Sequence, residues 1–141
     1  MLYRAKRIDK NTNEWVEGYI VRPHSRNENE EIVSFYFNAL DEMGWAYECI
    51  VSADTVCRFT GLTYQDKKVW ENDIVKYHFG EETAVIRFGK YSNVFDDKEC
   101  LHVGFYVDWK EKYLRKDLGY WVEMIDCNII GNAIDNPELL K

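Results

Sequence analysis

The sequence has little of several features that define whole classes of protein. It contains 2 prolines, which excludes long proline-rich linkers. Its uninterrupted apolar stretches span only a few residues, whereas a membrane-spanning helix needs about 20. The first residues lack the apolar core of a signal peptide. These absences predict a cytoplasmic protein with reduced thiols and no membrane partner.

Motifs that mark catalytic and cofactor sites are also missing. The glycines form neither a Gly-x-Gly-x-x-Gly loop nor a Walker loop, and there is no Gly-x-Ser-x-Gly elbow. The 4 cysteines contain no Cys-x-x-Cys pair, which is the usual spacing in zinc and redox sites. Adjacent acidic residues such as Glu81 and Glu82 are typical of solvated loops. We therefore predict that the protein is not an enzyme and binds neither a cofactor nor a metal.

A metal site is the alternative that the cysteines and histidines leave open. Cys100 and His102 lie two residues apart, so they would share one face of a strand. Structural zinc needs four ligands that converge tetrahedrally, and other thiols and imidazoles occur at distant positions. These are Cys49, Cys57, Cys127, His24 and His78. Because no spacing among them demands a metal, buried thiols and surface imidazoles are the simpler explanation.

The protein is acidic, with 18 basic and 25 acidic residues and a net charge of −7. An acidic surface repels phosphate backbones, so nucleic-acid binding is disfavoured. Two basic clusters are exceptions. One consists of Arg4, Lys6, Arg7 and Lys10, and the other lies between Trp109 and Trp121. It consists of Lys110, Lys112, Arg115 and Lys116. The alternative function is therefore a small β-barrel that stacks single strands on these tryptophans, or one whose acidic surface mimics DNA.

Aromatic residues make up 16% of the chain, and aromatic and β-branched residues favour strands. Apolar side chains alternate with period two, which predicts a mainly β fold. The predicted strands cover residues 15–22, 45–51, 102–109 and 120–125. Polar residues predict a hairpin loop at 9–14 and an exposed loop at 23–31.

Three short motifs predict the ends of elements. Thr60-Gly61-Leu62 is predicted to end a strand and turn the chain. Glu71-Asn72-Asp73 predicts a tight turn, in which Asn72 tolerates a positive φ and Asp73 accepts hydrogen bonds from backbone amides. Asn136 as an N-cap and Pro137 at the first helical position predict a short C-terminal helical turn.

Two longer motifs resemble the signature of a known family. The first is FTGL at 59–62 followed by VWENDIVK at 69–76, and the second is IGN at 130–132 followed by NPELL at 136–140. In this order they are similar to the motifs of the YopX family of phage and prophage proteins. The family's usual glycine before the aspartate of the first motif is Asn72 here.

The resemblance implies a single domain over residues 1–141. It implies N-terminal β-hairpins and a small SH3-like barrel in the part that carries the IVK strand. The charge balance shifts after residue 40, which leaves open a subdivision into residues 1–55 and 56–141. The resemblance brings no established activity or cofactor. It implies a phage accessory protein that acts in the cytoplasm of a bacterial host.

The aromatic surplus is the main functional signal in the residues themselves. Tryptophan and tyrosine are enriched at protein interfaces, although an aromatic-rich core explains them equally well. We therefore predict a non-enzymatic protein-interaction module that binds an unidentified protein or a second copy of itself. The candidate contact residues are Trp70, Tyr106, Trp109, Tyr120 and Trp121.

Overall fold

The computed structural model describes residues 1–77, 81–110 and 114–140. Strands dominate these residues and form two antiparallel sheets, so the predicted mainly β fold is confirmed. The described residues include no helix that is long and apolar enough to cross a membrane. His78 and Lys112, named above as candidate ligand and candidate phosphate contact, lie outside the described residues.

The chain divides into two compact units, Met1–Phe59 and Thr60–Lys141. In the first unit the first four strands form an antiparallel meander and the fifth returns to pair with the first, which gives the order β4-β3-β2-β1-β5. Its strands are β1 (Tyr3–Lys6), β2 (Trp15–Arg26), β3 (Ile32–Leu40), β4 (Ala46–Ser52) and the start of β5 (Cys57–Tyr64). The strands predicted at 15–22 and 45–51 are thereby confirmed as β2 and β4.

The exposed loop predicted at residues 23–31 is too long, because β2 continues to Arg26. The pairing of β2 with β3 shifts register on both sides of Pro23. Such bulges let a strand tolerate proline, which has no N–H to donate to the ladder. A proline and a run of polar residues therefore looked like a loop although they pair as a strand.

Successive side chains of a strand point to opposite faces of a sheet. The core of the first unit is formed by the side chains on one of these faces. This core contains Ala5, Val16, Phe37, Ala39, Cys49 and Val51. The sheet curls, since an isolated bridge joins Arg7 to Val51 and the Ile8 amide donates to the Ile50 carbonyl at 2.8 Å. The described residues nevertheless form no closed barrel.

The second unit contains the end of β5 with β6 beside it, and a sheet in the order β10-β7-β8-β9. Its strands are β6 (Lys67–Trp70), β7 (Asp73–Lys76), β8 (Thr83–Tyr91), β9 (His102–Val107) and β10 (Asn128–Asn132). The strand predicted at 102–109 is confirmed as β9, which ends two residues earlier. Near the C-terminus, Pro137–Leu140 form a 3-10 helix, and the Thr83 hydroxyl donates to the Leu139 carbonyl at 2.9 Å.

The strand predicted at residues 120–125 is wrong, because Tyr120–Met124 form a π-helix. The Ile125 amide donates to the Tyr120 carbonyl at 3.0 Å. Trp121 and Val122 follow each other and are both buried. A strand would send them to opposite faces, whereas a helical turn separates successive side chains by only about 100°. Tertiary burial of this pair therefore overrides the alternating pattern.

The turn at Glu71-Asn72-Asp73 is confirmed. Asn72 has a φ of 74°, and the Trp70 amide donates to Asp73 Oδ2 at 2.8 Å. The turn predicted at Thr60-Gly61-Leu62 is wrong, because β5 runs through all three residues. Gly61 has a φ of 86°, so here the glycine marks a local irregularity inside a strand rather than its end.

The positive φ at Asn72 makes a testable prediction about backbone strain. We expect Asn72→Ala to be less stable than Asn72→Gly by about 1 kcal/mol, because a residue with a Cβ pays a steric cost in the left-handed region. Both variants lose the side-chain amide, so their difference reports the backbone alone. Urea unfolding of the two proteins measures it, and equal midpoints would contradict the observed φ.

Candidate functional site

Three of the five predicted contact residues lie inside the protein. Trp70, Trp109 and Trp121 are each 3% exposed. The ring of Trp121 lies 5.1 Å from that of Trp109 and 5.2 Å from that of Tyr120, between centroids. Tyr106 and Tyr120 are partly buried. The three tryptophans are therefore core residues and offer no ring surface to a partner.

The same burial affects the predicted nucleic-acid surface. Stacking needs an exposed ring, and neither Trp109 nor Trp121 is exposed. Arg115 lies over the ring of Tyr120 at 5.1 Å, and its Nε is 3.5 Å from Asp117 Oδ2. The cation is thus already engaged within its own unit. Neither of the two tryptophans named for the alternative function therefore offers an aromatic platform.

The most exposed apolar side chains of the first unit lie at the turn between β3 and β4. Met43 is 81% exposed and Trp45 is 73% exposed. Trp45 is the one exposed residue among the five tryptophans of the chain. We call residues 41–45 the hairpin tip.

Asp41 builds the hairpin tip. Its Oδ1 accepts hydrogen bonds from the amides of Met43, at 2.9 Å, and Trp45, at 2.8 Å, as in an Asx-turn. The Asp41 amide donates to the Trp45 carbonyl at 2.9 Å, and the Gly44 amide donates to the Asp41 carbonyl at 3.0 Å. Gly44 has a φ of 83°, which glycine adopts without steric cost. Met43 and Trp45 are therefore displayed on a backbone that is already ordered.

A shallow groove lies along the loop between β1 and β2, in the same unit. It is lined by Arg7, Ile8, Lys10, Asn11 and Asn13. Ile8 is 51% exposed, so the groove has an apolar element beside its cations. Arg7 Nε donates to Asp9 Oδ1 at 2.6 Å, and this bond raises the pKa of Arg7 and lowers the pKa of Asp9. We call these five lining residues the basic groove.

A second group of reactive side chains lies at the loop between β8 and β9. One ligand atom from each of Asp96, Cys100 and His102 lies within 4.8 Å of the other two. His102 Nε2 is 2.9 Å from Asp96 Oδ2 and 3.8 Å from Cys100 Sγ. The Asn93 amide donates to Asp96 Oδ2 at 2.7 Å, and this bond, with a smaller contribution from His102, lowers the pKa of Asp96. We call the three residues the Asp-Cys-His cluster.

A network of hydrogen bonds among Tyr91, Asn93 and Asp117 lies next to this cluster. Asn93 is 5% exposed; its Nδ2 donates to Asp117 Oδ2 at 3.1 Å, and its Oδ1 accepts from the Lys116 amide at 2.7 Å. The Tyr91 hydroxyl donates to Asp117 Oδ1 at 2.6 Å. Burial, helped by this bond to Asp117, raises the pKa of Tyr91. The ring of His102 stacks on Tyr91 with centroids 5.1 Å apart.

The cluster does not have the geometry of a cysteine hydrolase. A Cys-His-Asp relay needs the thiol on one ring nitrogen and the carboxylate on the other, so that the carboxylate orients the base. Here Asp96 and Cys100 both contact His102 Nε2. The carboxylate and the thiol therefore compete for one nitrogen, and no relay is formed.

Sequence reasoning missed the hairpin tip and the third member of the cluster. The alternation at residues 45–51 assigns Trp45 to the strand face of buried Cys49, although Trp45 precedes the strand. The signal for the tip was Asp41 followed by Gly44, which are typical turn residues. Asp96 has no such signal, because its approach to His102 depends on how a ten-residue loop closes.

Comparison with known proteins gives one informative match. No curated protein and no solved structure matches the chain significantly. The sequence profile of the family described as YopX protein matches residues 2–141, which is essentially the whole chain. The motifs at 59–76 and 130–140 lie within this match, and the chain therefore belongs to the YopX family.

Proposed function

We propose that this chain is a non-enzymatic protein-interaction module that associates with a second copy of itself, the hairpin tip of one copy occupying the basic groove of the other. In this proposal it is a phage or prophage accessory protein that acts in the bacterial cytoplasm. Family membership supports the phage setting. The exposed hairpin tip is the observation that carries the proposed activity.

The composition and rigidity of the hairpin tip support a role in binding. Tryptophan is the residue most enriched among those that dominate binding energies, and methionine adapts its shape to an apolar pocket. Water covers most of Met43 and Trp45 in the single chain, so contact with a partner would bury a large apolar area. Because Asp41 already orders the backbone, binding costs little additional backbone entropy.

Charge complementarity supports a second copy as the partner. The hairpin tip carries the carboxylates of Asp41 and Glu42, and the basic groove offers the cation of Lys10. Its other cation, Arg7, is already paired with Asp9 and Glu14 within the same chain. Exposed Ile8 supplies an apolar contact for the tryptophan ring. Since each copy has both a tip and a groove, two reciprocal contacts would produce a closed two-fold dimer rather than a filament.

The second unit is proposed to have an SH3-like arrangement. This assignment rests on the family resemblance, and the antiparallel order β10-β7-β8-β9 is compatible with a small β unit. The mismatch between the Asp-Cys-His cluster and a catalytic relay supports a non-enzymatic protein. The nucleic-acid alternative has less support, because its two tryptophans are buried and the net charge is −7.

Trp45→Ala tests the proposed contact. We expect the unchanged chain to form a dimer that dissociates on dilution, and Trp45→Ala to weaken it by about 30-fold or more, since a hot-spot tryptophan contributes about 2 kcal/mol or more. Light scattering after size-exclusion chromatography, over a concentration series, measures the dissociation constant. Met124→Ala is the matched control, because Met124 is 75% exposed but lies in the second unit.

A charge exchange tests the choice of partner surface. Lys10→Glu and Glu42→Lys are each expected to weaken the dimer, and the double variant is expected to restore much of the lost affinity because it exchanges the two charges. A chain that is monomeric at every concentration contradicts the proposal. A dimer that Trp45→Ala leaves intact contradicts it as well, and assigns self-association to another surface.

A further inference from the structure

The loop between β8 and β9 brings together three different kinds of metal-ligand atom. They are a carboxylate oxygen of Asp96, the sulfur of Cys100 and Nε2 of His102, all within 4.8 Å of one another. Ligand atoms of a tetrahedral zinc site lie roughly 3.3–3.8 Å apart, given bond lengths of about 2.0–2.3 Å. The separations of 2.9 Å and 3.8 Å from His102 Nε2 are close to that range. We propose that the Asp-Cys-His cluster binds a divalent cation of the zinc class.

The donor set selects the class of cation. Magnesium and calcium prefer shells made entirely of oxygen, whereas thiolate and imidazole favour zinc and chemically similar ions such as cobalt(II). The cluster offers one sulfur, one nitrogen and one oxygen donor. The thiolate is the form that ligates metal, so binding transfers the Cys100 proton to solvent as the metal–sulfur bond forms.

Hydrogen bonds within the loop position these donor atoms in the absence of an ion. The Asp96 amide donates to the Asn93 carbonyl at 3.0 Å, and the Cys100 amide donates to the Asp97 carbonyl at 2.9 Å. Each bond closes one turn of the loop. The Asn93 amide bonds the Asp96 carboxylate in return, and Tyr91 supports the face of the His102 ring. Partners of this kind orient metal ligands and strengthen their binding.

The position of the cluster lets an ion reach it. Cys100 is exposed, and the side chains of His102 and Asp96 are 35% and 13% exposed. A cation can therefore enter from solvent, and the protein supplies three ligands and leaves a fourth position for water. The site does not depend on the hairpin tip, which is in the other unit.

The test uses the full-length chain without a histidine tag, after removal of metal with a chelator. Cobalt(II) is the probe, because a cobalt–thiolate bond produces a charge-transfer absorption that neither imidazole nor carboxylate produces. We expect this band to saturate at one equivalent per chain, and zinc to displace the cobalt. Isothermal titration with zinc gives the dissociation constant independently.

Single substitutions then assign the ligands. We expect Cys100→Ser to abolish the charge-transfer band, and Asp96→Asn and His102→Gln each to weaken zinc binding by about 100-fold or more, since loss of a supporting residue alone costs 10–100-fold. Asp97→Asn and His24→Gln are the matched controls and are expected to bind zinc like the unchanged chain. Circular dichroism of every variant establishes that its fold is retained.

Two results would overturn the proposal. One is the absence of a saturable charge-transfer band in the unchanged chain. The other is a charge-transfer band that survives Cys100→Ser, which would assign the metal to one of the buried thiols Cys49, Cys57 or Cys127. Neither result depends on whether the protein forms a dimer.

Discussion

Trp121→Ala is expected to lower the free energy of unfolding by about 3–5 kcal/mol, the range for truncation of a buried aromatic side chain. Trp121 is 3% exposed, and its ring centroid lies 5.3 Å from that of Tyr77 and 5.1 Å from that of Trp109. The indole N–H also donates to the Arg115 carbonyl. The substitution therefore creates a cavity and leaves the Arg115 carbonyl, in a partly buried position, without its donor. Urea unfolding followed by circular dichroism measures the loss.

Trp45→Ala is the matched control, because it removes the same side chain from an exposed position. We expect its free energy of unfolding, measured at a concentration where the chain is monomeric, to change by less than about 0.5 kcal/mol. The two substitutions thus separate the aromatic residues that stabilise the fold from the one available to a partner. If Trp121→Ala were no more destabilising than Trp45→Ala, the placement of Trp121 in the core would be wrong.

Gly18→Ala is expected to destabilise the first unit by roughly 3 kcal/mol or more, at or beyond the upper end of overpacking costs. A Cβ at position 18 would lie 2.0 Å from the Asn38 carbonyl oxygen and 2.8 Å from the Ala39 Cα. Both are backbone atoms of β3, which pairs with Gly18 in the sheet. They cannot move away without separating β2 from β3. Hydrogen exchange at β2 and β3 amides, together with urea unfolding, measures the effect.

Gly119→Ala is the control for this prediction. Nothing lies within 4 Å of a Cβ built at Gly119, and its φ of −57° suits any residue. We expect no loss of stability, and a gain of up to about 1 kcal/mol because alanine restricts the unfolded chain. Equal destabilisation by the two substitutions would contradict the close approach of β2 and β3 at Gly18.

Local residue chemistry made several elements predictable. Alternating apolar residues predicted β2, β4 and β9, because a strand buries every second side chain. Asn72 and Asp73 predicted their turn, since one tolerates a positive φ and the other bonds a nearby amide. The same reasoning failed at Trp121 and Val122, which are buried together in a helical turn. In a short segment, alternating apolar residues do not distinguish a strand from a helical turn.

The candidate sites were less predictable than the fold. Cys100 and His102 were noticed because they are close in the sequence, but Asp96 joins them only through the closure of its loop. Trp45 was placed on a strand face, although a hydrogen-bonded turn carries it into solvent. In each case the missing information was the path of a loop, which depends on contacts between residues that are not neighbours along the chain.

The β class, the YopX family and the turn at Asn72 follow from the residues alone, because each depends on residues near one another in the chain. Which aromatic residues are core and which are surface depends instead on how distant strands pack together. A tryptophan side chain stabilises a folded protein when it fills the core, and it stabilises a complex when it contacts a partner. Its position therefore follows from the strands that pack around it: three of the five tryptophans are enclosed, and Trp45 remains exposed.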